Sequence, residues 1–599
     1  MSEYIPPLKD MRFVLEELAP LSELAALPGC EDTNLELAAA ILEEAGKLAA
    51  GVLSPLNATG DREGARWSDG EVLTARGWRE AYRQFVDGGW NGLSCAPEHG
   101  GQGLPRLVSA LVEEMWNAAN VSFALCPMLT WGAIEALELR GSDAQKQMYL
   151  PKLISGEWTG TMNLTEPQAG SDLSAVRTRA IPQPDGSYRL HGQKIFITYG
   201  EHDLTENIVH LVLARKPDAP EGVKGISLFV VPKRLIGPDG EPGAPNDVRC
   251  VSIEHKLGIH GSPTAVLAFG DKEGAVGWLV GEENRGLETM FIMMNAARFS
   301  VGLEGVGLAE RATQRAVAYA KARVQGTELG AKGRDKVAIV RHPDVRRMLM
   351  LMKSRTEALR AVACTVALAM DMAHGHPDAA VRAQQQTFVD LMIPVVKGWS
   401  TESAVEIASL GVQVHGGMGY VEETGAAQHL RDARITPIYE GTTGIQAADL
   451  MGRKIVRDGG AAISAALARM RDAQTQIARQ NDELLAGIAI ALDEGIDAVE
   501  RAVRFIVSSS EGEQLRVASV GAVPFLEMFG IVAGGWQMAL AALAARRRLS
   551  EGTGDAAFHK AKIQTARFYA DHMLSRATGL SRVVVRGGSV ALEIDQDQL

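Results

Sequence analysis

Near residue 158 the apolar residues stop recurring at three- and four-residue spacing and gather into short β-type runs; near residue 286 the first pattern returns. A helix buries one stripe at a period of 3.6 and a strand one face at a period of 2. A chain that switches twice therefore builds unlike layers in sequence. Before the switch, 33–51, 74–87 and 106–119 read as amphipathic helices, punctuated by Gly, Pro and Asp. Within it, 188–190, 193–198, 208–214, 226–231 and 265–269 read as strands separated by turn signals such as PQPDGS and GPDGEPGAPN. After it, 287–323, 344–374 and 379–410 read as long bundle helices, with a polar loop at 324–341. The tail reads as helices 477–492, 525–546 and 557–577, ending in a β-like piece at 582–592.

The expected fold is therefore α+β, mainly α. Residues 1–157 form an N-terminal helical domain and 158–275 a middle antiparallel β-barrel or sandwich. Residues 276–457 form a C-terminal four-helix-bundle domain and 458–599 an extra helical C-terminal domain. At 599 residues, several packed units are the rule.

A net charge of −12 argues against broad binding to nucleic acid or anionic membrane. Residues 457–599 carry 16 Lys/Arg against 17 Asp/Glu, so the tail has no basic surface for nucleic acid either. A small anionic ligand stays possible, since a few arginines and helix N-termini can hold phosphates. Five scattered cysteines (Cys30, Cys95, Cys126, Cys250, Cys364) form no CxxC pair, which argues against a metal site or disulfide framework and fits a reducing cytoplasm. The N-terminus lacks the apolar core of a signal peptide, and no run of about 18 uncharged apolar residues is read, so no membrane span is expected.

Four patches carry the chemistry: Met162–Asp172 (MNLTEPQAGSD), Gly192–Gly200 (GQKIFITYG), Gln413–Tyr420 (QVHGGMGY) and Arg431–Thr442 (RDARITPIYEGT). In order and spacing they resemble the acyl-CoA dehydrogenase family over about residues 35–457. The resemblance implies FAD, an acyl-CoA substrate, α,β-dehydrogenation to the trans-2-enoyl-CoA, electron-transfer flavoprotein as acceptor and a homodimer.

It also implies roles for single residues. Glu440 is the base, on a Tyr-Glu-Gly-Thr turn whose Gly441 can aim a backbone N–H at the thioester oxygen. Removal of a weakly acidic α-proton needs a carboxylate held in a dry pocket, where its pKa rises. Relatives with a different base carry it on the preceding long helix, but here that stretch reads Asn295-Ala296-Ala297-Arg298, with no carboxylate. Arg298 matches a position close to the base. Met162, Leu164, Thr165, Phe196 and Thr198 match positions around the flavin ring, and Gly170 and Ser171 the bend at the CoA pantetheine and phosphate. Gln413, Gly416, Gly417 and Arg323 match contacts to the FAD of a neighbouring subunit, and Thr442 a FAD contact beside the base.

Several positions depart from the family pattern: Gln168 stands for a Gly, Phe196 for a Trp and Met162 for an aromatic. An N-terminal YIPPLKDMRFVL stretch and the long tail resemble the large bacterial members. For these, both 3-methylmercaptopropionyl-CoA and straight-chain acyl-CoAs are open as substrates. Met293 and Met294 suit a thioether, yet Met on a long helix is usually core. Two further readings stay open: an oxidase that passes its electrons to oxygen and, remotely, a flavoprotein relative that binds nucleic acid through its C-terminal region; a catalytically silent scaffold is disfavoured because the base and flavin patches are intact.

Overall fold

The computed structural model describes residues 4–330, 333 and 335–599, so Ala331, Lys332 and Arg334 of the expected polar loop lie outside the described residues. It divides into two compact units. One comprises Met1–Gly46, Pro105–Ala118 and Val301–Leu599; the other comprises Lys47–Leu104 and Ala119–Ser300.

The second unit holds the β region. Its sheet runs, edge to edge, Val248–Ile253, Thr264–Phe269, Tyr188–Thr198, Ala275–Val280, Ile226–Pro232, Ile208–Arg215 and Thr159–Asn163. The strand Arg179–Pro182 pairs with both Tyr188–Thr198 and Ile208–Arg215, which closes the hydrogen-bonded circuit. The pairing is not wholly antiparallel as expected, for Thr159–Asn163 lies parallel to Ile208–Arg215. Ile226–Pro232 is buried along its whole length and Ile208–Arg215 nearly so, which is why both read as continuous apolar runs. Leu190, Val212, Phe229, Leu267 and Phe269 fill the core of this sheet.

The helix Arg106–Arg140 outruns its expected end. Asn120 leaves helical geometry at φ −162°, and its side chain accepts from Phe123 N–H at 3.1 Å, capping a second helical segment. Trp78 packs edge-on to Phe123 and donates to the Tyr199 hydroxyl at 3.2 Å.

The first unit is helical. Gly286–Ala322, Pro343–Gly375 and Ala379–His415 match the expected bundle helices to within a few residues. Gly302 and Gly305 let the first of these approach the third: a Cβ at Gly302 would sit 2.5 Å from Val396, and one at Gly305 2.7 Å from Ser400.

The tail packs on this bundle. Trp399 lies against Gly530 and Gly534 of the helix Ala522–Glu551, where added Cβ atoms would come within 2.3 and 2.6 Å of its ring. Behind them, Tyr569 donates its hydroxyl to the Ile531 carbonyl at 2.9 Å. Arg360 is wholly buried, with two nitrogens on the Glu114 carboxylate and further ion pairs to Glu310 at 2.7 Å and Asp10 at 2.5 Å. Lys562 completes the cluster, pairing with Asp10 and, at 2.9 Å, with Glu357.

Three expectations about the tail are corrected. Residues 582–592 are not β-like: Ala577–Arg586 and Gly588–Glu593 are helices, because Ser581 and Val584 are buried and Ser581 donates to the Ala498 carbonyl at 2.9 Å. Residues 477–492 are not one helix: Ala461–Ala478 ends, and the Asp482 side chain accepts from Leu484 and Leu485 to start Glu483–Ser508. Finally, Ala522–Glu551 is long and apolar enough to cross a membrane. Its most apolar stretch is 83% buried, so its apolarity serves the helical core.

Candidate active site

Within the β unit, the patch at 162–172 is fixed by a buried ion pair. Lys194 Nζ meets Glu166 Oε1 at 2.8 Å, and both side chains are almost fully enclosed. The same Glu166 carboxylate accepts from Thr178 N–H at 3.0 Å, Thr178 Oγ1 at 2.6 Å, Arg177 N–H at 2.7 Å and Gln168 Nε2 at 2.6 Å. Burial alone would raise its pKa; the Lys194 charge and these donors outweigh it and bring the carboxyl down to about 2. Burial lowers Lys194 to about 8 against the pull of Glu166, so both groups are charged at neutral pH. Lys194 also donates to the Leu164 carbonyl at 2.9 Å, which ties the loop to the strand Tyr188–Thr198.

A bulge makes the second tie. Ala265 faces Ile197 but Leu267 faces Lys194, so two residues, Ile195 and Phe196, oppose one. The released Ile195 N–H donates to the Thr165 carbonyl at 2.9 Å. Phe196 takes a left-handed φ of 60° and is 58% exposed. Thr165 and Thr198 are half-buried, and neither hydroxyl has a protein partner among the described residues. Met162 is buried on Thr159–Asn163, Leu164 is half-buried, and Gly170 and Ser171 are exposed. Gln168, the departure from the family Gly, spends its amide on Glu166 and on the Ala175 carbonyl. Arg298 is buried on the Gly286–Ala322 helix, 3.5 Å from the Asn295 side chain one turn earlier.

Within the helical unit, Glu440 is half-buried and lies in the left-handed region at φ 53°, followed by Gly441 at φ 86°. A non-glycine residue in this region, such as Glu440, is strained unless its surroundings hold it. Here the turn is held. Lys397 Nζ donates to the Gly441 carbonyl at 2.7 Å, and Gln446 Nε2 reaches the carbonyls of Glu440 and Gly441 at 3.3 and 3.2 Å. Thr442 caps the helix Thr443–Met451 by accepting from Ile445 N–H at 3.2 Å, and Thr443 donates to Glu402 at 2.6 Å. Before the base, the Tyr439 hydroxyl donates to Glu304.

In the same unit Gln413 is exposed on the last turn of Ala379–His415, and Gly416 and Gly417 form an open turn with no atom within 4 Å of an added Cβ. Such a turn can bring backbone N–H groups close to a diphosphate. The Arg323 side chain is exposed, and its carbonyl accepts from Ile339 N–H.

The sequence reading missed Glu304, Lys397, Gln446 and the Glu166–Lys194 pair. Gln446 and Lys194 stand inside or beside the patches and were legible there; Glu304 and Lys397 stand far from any patch.

Acyl-CoA dehydrogenase N-terminal, middle and C-terminal domains match residues 36–157, 161–271 and 284–455, and an acetyl-CoA dehydrogenase C-terminal-like domain matches 461–595. The 3-methylmercaptopropionyl-CoA dehydrogenase of Ruegeria pomeroyi is 50% identical over 598 residues, which cover 98% of this chain and 99% of that protein. The chain belongs to the acyl-CoA dehydrogenase family.

The broad-specificity linear acyl-CoA dehydrogenase FadE5 of Mycobacterium tuberculosis is 34% identical over the full length of both chains. The fold is that of the Bacillus anthracis acyl-CoA dehydrogenase complexed with FAD, at a TM-score of 0.73 and 22% identity over 98% of this chain and 92% of that one. As an acyl-CoA dehydrogenase, this chain is a FAD-dependent oxidoreductase acting on an acyl-CoA thioester. The residues present suit that cofactor: an exposed aromatic ring, two half-buried hydroxyls without protein partners among the described residues, and a glycine turn open enough for phosphate.

Proposed function

We propose that this enzyme oxidises 3-methylmercaptopropionyl-CoA to methylthioacryloyl-CoA, with Glu440 as the base and electron-transfer flavoprotein as the acceptor. The 50% identity along the whole chain to the Ruegeria enzyme supports the substrate. The strained and braced Glu440–Gly441 turn supports the base.

The Glu440 carboxylate takes a proton from the carbon next to the thioester carbonyl as the α,β-double bond forms. The Gly441 N–H and Arg298 stabilise and orient the thioester, and Ser171 borders the CoA chain. Met162, Leu164, Thr165, Gly170, Ser171, Phe196, Thr198 and Thr442 would hold FAD, as would Gln413, Gly416, Gly417 and Arg323 across a homodimer. When bound, FAD would supply the redox chemistry as the acceptor of the hydride lost from the β-carbon. Its domains run over 1–157, 158–275, 276–457 and 458–599, and the enzyme acts in the cytoplasm.

A second reading, a medium- or long-chain acyl-CoA dehydrogenase, is favoured by the full-length similarity to the linear-chain enzyme of Mycobacterium tuberculosis. A substrate panel separates the two. Flavin bleaching is followed with 3-methylmercaptopropionyl-, butyryl-, octanoyl- and palmitoyl-CoA. A kcat/KM at least about tenfold higher for the thioether substrate supports the first reading, and a maximum at octanoyl- or palmitoyl-CoA the second. Glu440→Gln is expected to stay yellow, to bind acyl-CoA, and to bleach about 10²–10⁴-fold more slowly; bleaching at the wild-type rate would remove Glu440 from the role.

A further inference from the structure

Glu304 is 1% exposed, on the Gly286–Ala322 helix, and belongs to none of the motif patches. One of its oxygens receives the Tyr439 hydroxyl; the other is buried without a hydrogen-bond partner among the described residues. Tyr439 is the residue immediately before Glu440, and the carbonyl immediately after Glu440 belongs to Gly441, which Lys397 holds at 2.7 Å. The left-handed turn is thus gripped on both sides: a carboxyl from one bundle helix through Tyr439, and an ammonium from another through Gly441.

We propose that Glu304 is a positioning residue for the base, fixing the Tyr439–Glu440–Gly441 turn through the Tyr439 hydroxyl. This rests on Glu440 being the base. A buried carboxyl serves this purpose best while neutral, because a second anion beside Glu440 would oppose the charge that must stay there between turnovers.

The charged and titratable groups around Glu304 are Tyr439, Glu113, Lys397 and Glu440. Burial, with Glu113 and Glu440 adding to it, raises the Glu304 carboxyl to about 8, against the Tyr439 hydrogen bond and the Lys397 charge. At pH 7 it is neutral. Above that range its ionisation places a second negative charge near the base and draws on Lys397, loosening the grip on Gly441. The rate of the chemical step should then fall.

The test uses FAD-loaded enzyme in anaerobic stopped flow, reading flavin bleaching by 3-methylmercaptopropionyl-CoA and butyryl-CoA from pH 6 to 9.5. Acyl-CoA binding is read separately from the flavin spectrum in the slowly bleaching Glu440→Gln background, before bleaching sets in. Glu304→Leu and Tyr439→Phe should each slow bleaching 10- to 100-fold at pH 7 while the Kd for acyl-CoA moves less than threefold. Glu304→Gln, which still accepts from Tyr439, should recover most of the rate lost in Glu304→Leu and should lack the wild-type fall above pH 8. The proposal is overturned if Glu304→Leu bleaches at the wild-type rate, if Gln and Leu are equally slow, or if the alkaline fall persists in Glu304→Gln. Should the Leu variant not fold, the pH profile of Glu304→Gln decides alone. Failure of the base assignment reads out differently, as undiminished bleaching by Glu440→Gln.

Discussion

Lys194 and Glu166 meet at 2.8 Å inside the β unit, and the same lysine holds the Leu164 carbonyl at 2.9 Å. One ion pair therefore fixes the backbone on which Thr165 stands, at a depth where neither charge can be solvated. Removing one partner leaves the other buried and uncompensated, which costs about 3–5 kcal/mol. Lys194→Met should lower the thermal unfolding midpoint and release FAD more readily, as read by flavin fluorescence on heating. A midpoint and FAD content like those of the wild type would show that the loop does not depend on this pair.

The same pair fixes a pH dependence. Glu166 ionises at about 2 when folded, against an ordinary 4.5, so its stabilisation is full above 4.5 and is lost as pH falls toward 2. Acid unfolding curves of wild type and Glu166→Gln should converge over that window; parallel curves throughout would contradict it.

Glu304 works in the opposite sense. Its folded value of about 8 lies above the ordinary 4.5, so its contribution is full below 4.5 and is lost as pH rises to 8, by at most a few kcal/mol. Glu304→Gln should flatten the dependence of urea midpoint on pH between 5 and 8. An unchanged slope would mean that Glu304 is already ionised at neutral pH.

Gly441, at φ 86°, holds a left-handed backbone in which any L side chain is strained. Gly441→Ala should cost about 1–2 kcal/mol, concentrated in the turn that carries Glu440. The expected readout is a tenfold or greater fall in bleaching rate with a small change in unfolding midpoint; the reverse split would make Gly441 a folding residue only.

Gly534 lies so close to Trp399 and Tyr569 that a Cβ would stand 2.6 and 2.5 Å from their atoms. Gly534→Val should destabilise the helical unit by about 1–3 kcal/mol through overpacking. Wild-type stability in chemical denaturation would indicate that the tail can shift off Trp399 without loss.

How much of this was legible in the chain depends on where each signal lies. Ile208–Arg215 and Ile226–Pro232 are buried runs of aliphatic residues bounded by turns, and such runs announce themselves. The Val583-Val584-Val585 triplet announces a strand just as clearly, yet it is helical, because Ser581 docks on the Glu483–Ser508 helix, Val584 is buried beside Gly521, and tertiary contact overrides propensity. The break at Asp482 was missed because apolar spacing continues across it, while its capping side chain is a single short-range signal. In the candidate site the Tyr-Glu-Gly-Thr turn is contiguous and readable. Glu304 stands 135 positions from Tyr439, and Lys397 44 from Gly441, so only the folded bundle brings them together.

The buried cluster around Arg360 bears on how the chain folds. Asp10 and its lysine partner lie 552 positions apart. Without Lys562, Asp10 and Glu357 lack one of the cations that balance them. Acid buried without a counter-charge is costly, so a bundle deprived of the tail helices would open more often and meet proteases in its open states. Bundle and tail are thus one electrostatic unit.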